Sequence, residues 1–206
     1  MGLTLYYAPQ TRASRVLWAL EELGVPYERV KLDLSKGEHK KPDYLALNPN
    51  GTVPTLVVDG TPMMESMAQV IFLAEKYGVA KKLWPAEGTP ARAEALGWLI
   101  WSAETAGGAL MRYAMNTSER VAAELRNAAA GKAGLDDFTK YVGILEKHLE
   151  KRDHLLGAEF TLVDLAVGPV VFAKGFFGFD LAPYPRVAAW SERVTSRPAY
   201  KTAQGY

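Results

Sequence analysis

At 206 residues, with 49% hydrophobic and 23% charged side chains, the chain is long enough for one large domain or two small ones and is ordinary for a globular protein. The formal charge of +1 comes from 24 basic and 23 acidic residues scattered along the chain, so no basic stripe of the kind nucleic acid needs is visible, the short cluster from Lys36 to Lys41 being the nearest approach to one. The absence of cysteine excludes disulfides, thiolate metal ligation and a protein thiol as nucleophile, so any sulfur chemistry must use the substrate's sulfur. No apolar run reaches the roughly 18 residues of a membrane span, and Met1 leads almost directly into a strand; no membrane partner and a cytoplasmic location are expected.

Leu3 to Tyr7 is a short apolar run rich in aromatic residues and stopped by Pro9, which predicts a buried strand. From Thr11 the period becomes helical, with Val16, Leu17, Leu20 and Leu23 on one side, Arg15, Glu21 and Glu22 on the other, and Gly24 as the stop. Tyr27 to Leu34 alternates as a second strand does, and a lysine-rich segment with a helical turn follows to Leu47. Thr55 to Val58 is a third strand opened by Val53-Pro54. Asp59-Gly60 signals a hairpin, so Thr61 to Met64 returns antiparallel, confined by Pro62 to an edge. A helix over Glu65 to Tyr77 then turns Met67, Val70, Ile71 and Ala74 inward. This order, βαβ then ββα, predicts a small mixed sheet of thioredoxin-like arrangement.

Residues 81–90, with Trp84-Pro85 and Gly88-Thr89-Pro90, are punctuated as a linker. Beyond them the period is helical, predicting helices near 90–115, 119–130, 134–152, 161–174 and 185–195. The expected organisation is an α/β thioredoxin-like N-terminal domain over 1–80 and an all-α C-terminal domain over 91–206. Thr161 followed three residues on by Asp164, with Phe160 set against Leu165, reads as a capping box whose role is folding.

The chemistry concentrates in Asn48-Pro49-Asn50-Gly51-Thr52-Val53-Pro54, followed by Glu65-Ser66 at the head of an apolar helix. A Val-Pro opening a strand suggests a fixed backbone that offers hydrogen bonds to a ligand, and the helix N-terminus beside it suits a carboxylate. Together these describe a site for a peptide. Ser66 can give a hydroxyl and a backbone N–H to a carboxylate at the helix's positive end, and Glu65 can face an ammonium group; plain helix capping is the competing reading.

Three stretches in this order resemble the cytosolic glutathione transferase family: Tyr6-Tyr7-Ala8-Pro9 into Arg15-Val16-Leu17; Gly37-Glu38-His39-Lys40-Lys41-Pro42 through Asn48 to Pro54; and Thr161-x-x-Asp164. The resemblance covers essentially the whole chain. The Gly-Glu-His-Lys-Lys run is most like phi-type members, and bacterial members share much of the rest. It implies glutathione as co-substrate, no metal, a homodimer and a detoxifying transfer of the glutathione thiolate to a hydrophobic electrophile. A glutathione-dependent isomerase or peroxidase, or a non-catalytic glutathione-binding protein, are the alternatives on the same scaffold. By the resemblance, Val53 pairs its backbone with the cysteinyl moiety, Pro54 carries a cis bond, His39 and Lys40 hold the glycyl carboxylate, and Thr52 touches the same end.

The resemblance also asks for a donor to the thiolate, a tyrosine at the end of the first strand or a serine or cysteine before the first helix. Cysteine is absent. Thr11 stands where the serine types carry their hydroxyl and is the first choice; Tyr6, Tyr7, Ser14, backbone N–H groups and Arg12 stay open. An electrophile pocket between the domains would be lined by Met111, Tyr113, Met115, Phe172, Phe176 and Phe177, although such side chains are also ordinary core. The Met63-Met64 hairpin edge and the helix over 90–115 are the candidate dimer contacts.

Overall fold

The computed structural model describes residues 2–119, 121–171 and 179–205. Strand β1, Leu3–Tyr7, forms where expected, and its alternation buries Leu3, Leu5 and Tyr7 while leaving Thr4 and Tyr6 half-buried. It runs parallel to β2 (Glu28–Lys31), with Tyr7 opposite Lys31, and antiparallel to β3 (Thr55–Val58), with Tyr6 opposite Thr55. Strand β4 (Thr61–Met63) completes the order β2-β1-β3-β4 at the edge that Pro62 requires. Asp59 and Gly60 both take positive φ, 47° and 83°, in a two-residue turn whose twist suits the hairpin. The second strand is shorter than expected, because after Leu32 donates to the Tyr7 carbonyl the chain turns into a loop closed on Asp33 and Glu38.

Helix α1 (Ala13–Leu23) ends at Gly24 in the left-handed region and packs against α3 (Ser66–Leu73), which continues as a π-helical turn over Ala74–Gly78. Helix α2 (Pro42–Leu47) lies on the side of Tyr6, its Tyr44 ring 5.8 Å from the Tyr6 ring, and follows a 3-10 turn at Glu38–Lys40.

The helical unit begins with α4 (Pro90–Ile100), where the Thr89 hydroxyl accepts from Arg92 N–H at 3.2 Å. A π-helical turn over Trp101–Ala106 leads on into α5 (Gly107–Thr117). The helix expected over 119–130 is absent. The described residues of 118–126 hold a 3-10 turn at Ala123–Leu125, and the alanine-rich stretch opens α6 (Ala128–His148) instead, capped by Asn127 Oδ1 on Ala130 N–H at 3.0 Å. Nor does α6 break between 130 and 134: a Cβ on Gly134 would lie 2.5 Å from Tyr113 N, so this glycine allows close passage of two backbones rather than ending a helix. Helices α7 (Leu162–Val171) and α8 (Pro185–Thr195) follow; the expected run of the former to 174 lies outside the described residues.

By its contacts the chain forms one unit up to Trp84 and another from Pro85 to Thr195, and the residues from Ser196 return to the first. This differs from an all-helical domain over 91–206. The last helix, α9 (Pro198–Gln204), packs on α1 through Trp18 and Tyr200, rings 4.7 Å apart, and a two-pronged bond from Arg197 to Glu22 at 2.6 and 2.8 Å. Glu22 is therefore covered rather than outward-facing. No described helix is long and apolar enough to cross a membrane.

The helical unit is organised around Asp164, which is fully buried. Its Oδ1 accepts from Leu155 N–H and Trp190 Nε1–H at 2.9 and 2.8 Å, and its Oδ2 from the N–H and hydroxyl of Thr161 at 2.9 and 3.2 Å. Burial raises its carboxyl above the ordinary carboxylate range, and these bonds oppose that rise. The capping box thus reaches α8 and the loop before α7 as well as its own helix. Replacing Asp164 by Ala strands several buried donors and is expected to cost about 3 kcal/mol or more; urea denaturation followed by far-ultraviolet circular dichroism measures it, and a loss below about 1 kcal/mol would reduce Asp164 to an ordinary cap.

Candidate functional site

The start of β3 is fixed by a buried polar network. Asn48 Nδ2 donates to the Thr52 carbonyl at 2.9 Å and to Thr55 Oγ1 at 3.1 Å, and the Tyr44 hydroxyl bonds the same two atoms at 2.6 and 2.7 Å. From the other side, buried Gln69 of α3 donates to the carbonyls of Pro54 and Met63 at 3.2 and 2.8 Å. Between these clamps the Val53–Pro54 bond is cis, and the Val53 N–H and C=O make no hydrogen bond among the described residues. A half-buried backbone edge with both groups open is a place for an extended peptide to pair.

The groups around Val53 complete the site. Glu65 is held at φ 68°, outside the comfortable range of a residue with a Cβ, a strain that costs on the order of 1–3 kcal/mol and is characteristic of functional positions. Its side chain does not cap α3, so the positive end of that helix, at the buried Ser66, is left open. Asn50 Nδ2 lies 3.2 Å from Met64 Sδ, which ties the loop of Asn50 to the residue before Glu65. On its other flank, Lys40 Nζ donates to the Asn50 carbonyl at 3.4 Å, and Gly51, at φ 56°, lets His39 and Lys40 come so close that a Cβ there would meet Lys40 Nζ at 2.8 Å. The structure therefore brings His39, Lys40, Thr52, Val53, Pro54, Glu65 and Ser66 together.

The loop of residues 8–12 borders this site, because continuing the β1–β3 register past Tyr6 and Thr55 sets Tyr7 against Pro54 and Ala8 beside Val53. Thr11 lies just ahead of α1, whose N-cap is Arg12: its hydroxyl donates to the Ala8 carbonyl at 2.7 Å and accepts from Ala13 N–H at 3.2 Å. Ser14 lies within α1, Tyr7 has its ring buried in the sheet, and Arg12 is exposed. Beside the loop opens a cavity of about 490 Å³ lined by Ala8, Pro9, Lys31, Leu32, Asp33, Leu34 and Glu38. Of the expected electrophile pocket, Met111 and Met115 are exposed on one face of α5, but Tyr113 lies about 200° around the helix from each; the three do not form one wall. Phe172, Phe176 and Phe177 lie outside the described residues. No cluster of side chains suited to a metal occurs among the described residues.

Three features escaped sequence reasoning. Gln69 had a visible signal, since after Ser66 it is the lone polar residue in the apolar helix α3. The cavity had none. Arg15, expected on the outer side of α1, is only 6% exposed; its Nε is buried without a partner and no carboxylate among the described residues pairs with it. Burial, then the nearby Arg12, lower its pKa to about 10, still charged at neutral pH. A cation with its Nε buried and no ion-pair partner among the described residues costs the fold desolvation.

The family model for the glutathione S-transferase N-terminal domain matches residues 11–76, and that for the glutathione S-transferase C-terminal domain matches residues 107–198. The chain belongs to the glutathione transferase family. Among its relatives, glutathione S-transferase GstB of Escherichia coli is 34% identical over 93% of this chain and 91% of its own length. The disulfide-bond oxidoreductase YfcG of the same organism is 33% identical over 96% and 92%. The crystal structure of glutathione transferase URE2P6 from Phanerochaete chrysosporium, in complex with oxidized glutathione, superimposes with a TM-score of 0.87 at 28% identity, covering 98% of this chain and 94% of that one. If Arg15 is kept charged for the site and not for folding, Arg15→Met should raise stability by about 1–3 kcal/mol in urea denaturation while weakening glutathione binding in calorimetry. Loss of stability would make it a structural residue.

Proposed function

We propose that this glutathione transferase binds glutathione along the open edge of Val53, ionises its thiol beside the 8–12 loop, and transfers the sulfur to a hydrophobic electrophile. The observation that carries the reading is the unpaired Val53 backbone, clamped on both sides and flanked by an uncapped helix N-terminus. The cysteinyl moiety pairs with Val53 as an antiparallel strand would. The γ-glutamyl carboxylate takes the Ser66 hydroxyl and the positive end of α3, and Glu65 takes the ammonium group. The glycyl carboxylate goes to Lys40, with His39 and Thr52 beside it.

A free thiol with pKa near ~8.5 is only about 3% ionised at pH 7. One hydrogen bond to the charged form is worth roughly 1.5–3 kcal/mol, which lowers that pKa by about one to two units and makes about a quarter to three quarters of the sulfur thiolate. Thr11 is the donor in this reading: its proton leaves the Ala8 carbonyl for the thiolate, the stronger acceptor because it is charged. Arg12 and the buried Arg15 add a favourable potential, while Tyr7 and Ser14 are the rival hydroxyls. The electrophile waits in the cavity beside Ala8 and Pro9. Sulfur then bonds to the electrophilic carbon as the leaving group departs with its electron pair, and the shared site supplies proximity. A cytoplasmic, homodimeric enzyme of detoxification fits this chemistry, and glutathione itself is the sole non-protein requirement.

The resemblance to YfcG supports a second reading, attack of the bound thiolate on a disulfide with expulsion of the other sulfur as thiolate, which needs no protein cysteine. Product analysis separates the two. The ultraviolet absorbance of bound glutathione thiolate, titrated over pH, tests the shared mechanism. Its pKa should lie one to two units below ~8.5 in the wild type and return toward that value in Thr11→Ala, with kcat/KM for conjugation falling about 10- to 100-fold. A lowered pKa unchanged by the substitution would move the role to another donor, and an unlowered pKa would leave a binding protein.

A further inference from the structure

The cavity beside the 8–12 loop has a mixed apolar and charged lining. Ala8, Pro9, Leu32 and Leu34 supply the apolar part, Lys31, Asp33 and Glu38 the charges. The two carboxylates are occupied within their own loop. Asp33 accepts from Ser35 Oγ at 2.6 Å, Ser35 N–H at 3.0 Å and Lys36 N–H at 3.3 Å, and Lys36 Nζ lies 3.4 Å from its other oxygen. Glu38 accepts from Asp33 N–H at 2.8 Å and lies 3.6 Å from Lys41 Nζ. The Ser35 hydroxyl holds the Asp33 carboxyl below the ordinary range, and the Asp33 N–H does the same for Glu38, so both are ionised and both are matched by a neighbouring lysine.

Lys31 is different. It is exposed, and no carboxylate or hydrogen-bond acceptor engages its ammonium among the described residues. Its backbone is not free to drift: Lys31 stands opposite Tyr7 in the parallel ladder, and the next residue, Leu32, donates to the Tyr7 carbonyl at 2.8 Å. Ala8, which follows Tyr7, shares its carbonyl with the Thr11 hydroxyl at 2.7 Å. One uncommitted positive charge, on a backbone held in the sheet, thus lines the same cavity as Ala8 and Pro9 of the loop where the thiolate is read to form. An apolar lining selects no particular charge, whereas an unengaged ammonium beside it favours an anion and disfavours a cation.

We propose, resting on the transferase reading above, that Lys31 is a specificity-determining residue and that the preferred electrophiles are apolar molecules carrying an anionic group such as a carboxylate. The apolar body lies on Leu32, Leu34 and Pro9, the anion meets Lys31 Nζ, and the electrophilic carbon is left facing the 8–12 loop.

Two chloroarenes with the same leaving group test this: neutral 1-chloro-2,4-dinitrobenzene and anionic 4-chloro-3,5-dinitrobenzoate. In each, the glutathione C–S bond forms, the C–Cl bond breaks and chloride leaves with its electron pair. At saturating glutathione, Lys31→Gln should lower the preference for the benzoate over the neutral arene about five- to tenfold, through KM rather than kcat, and Lys31→Arg should restore it. Binding of 3,5-dinitrobenzoate, which has no leaving group, is read by quenching of tryptophan fluorescence and should weaken by the same factor in Lys31→Gln. An unchanged preference, or dinitrobenzoate binding indifferent to Lys31, overturns the proposal. A wild type that turns over neither chloride overturns the transferase reading instead, and Lys31-dependent binding of dinitrobenzoate would then still support the anion site.

Discussion

The site depends on holding a strand's first residues rigid while leaving their backbone unpaired. An open N–H and C=O on a half-buried edge would ordinarily be satisfied by a neighbouring strand or lost to disorder. Here Asn48 and Tyr44 grip Thr52 and Thr55 on one side, and Gln69 grips Pro54 on the other. Buried polar groups of this kind are costly unless bonded, and their low-dielectric surroundings strengthen the bonds they do make. The sheet, α2 and α3 can be seen as the means of bringing these side chains to one place: α2 carries Tyr44, the chain just beyond it Asn48, and α3 Gln69.

Electrostatics follows from the same geometry. The chain as a whole is nearly neutral, yet positive groups flank Val53: the open N-terminus of α3, and Lys40 against the Asn50 carbonyl. Glutathione carries two carboxylates, one ammonium and, when activated, a thiolate. A site with positive ends at separate points and one carboxylate, Glu65, matches that pattern without any large field over the surface. The strain at Glu65 is a cost of the kind that functional sites commonly bear, and the desolvation of Arg15 is a second.

Much of the fold was legible because its signals are local. The alternation in β1, Asp59-Gly60 in the hairpin, Pro62 at the edge and Gly24 at the end of α1 each act through the backbone of a few residues, and each stands where the sequence put it. The misreadings involve tertiary context. The gap expected between helices at 130 and 134 is absent, and Gly131 and Gly134 there permit α6 to pass α5; Arg15 and Glu22 read as an outer face but are covered, Glu22 by the returning Arg197. Among the candidate site residues, those bound to a motif along the chain, Val53-Pro54 and Glu65-Ser66, were visible. The cavity at Lys31 and Leu34 was not, because it is made by the shape of a loop and no residue type announces it.

The claim on which the account turns is that the Val53 backbone is held open for a peptide. Amide hydrogen exchange at Val53, followed by NMR in the free protein and with saturating S-methylglutathione, measures this directly. The account predicts an amide that exchanges readily when free and becomes strongly protected in the complex, while those of Leu56 and Val57 in the existing ladder change little. A Val53 amide already protected without ligand, or one that remains unprotected in a saturated complex, would contradict it.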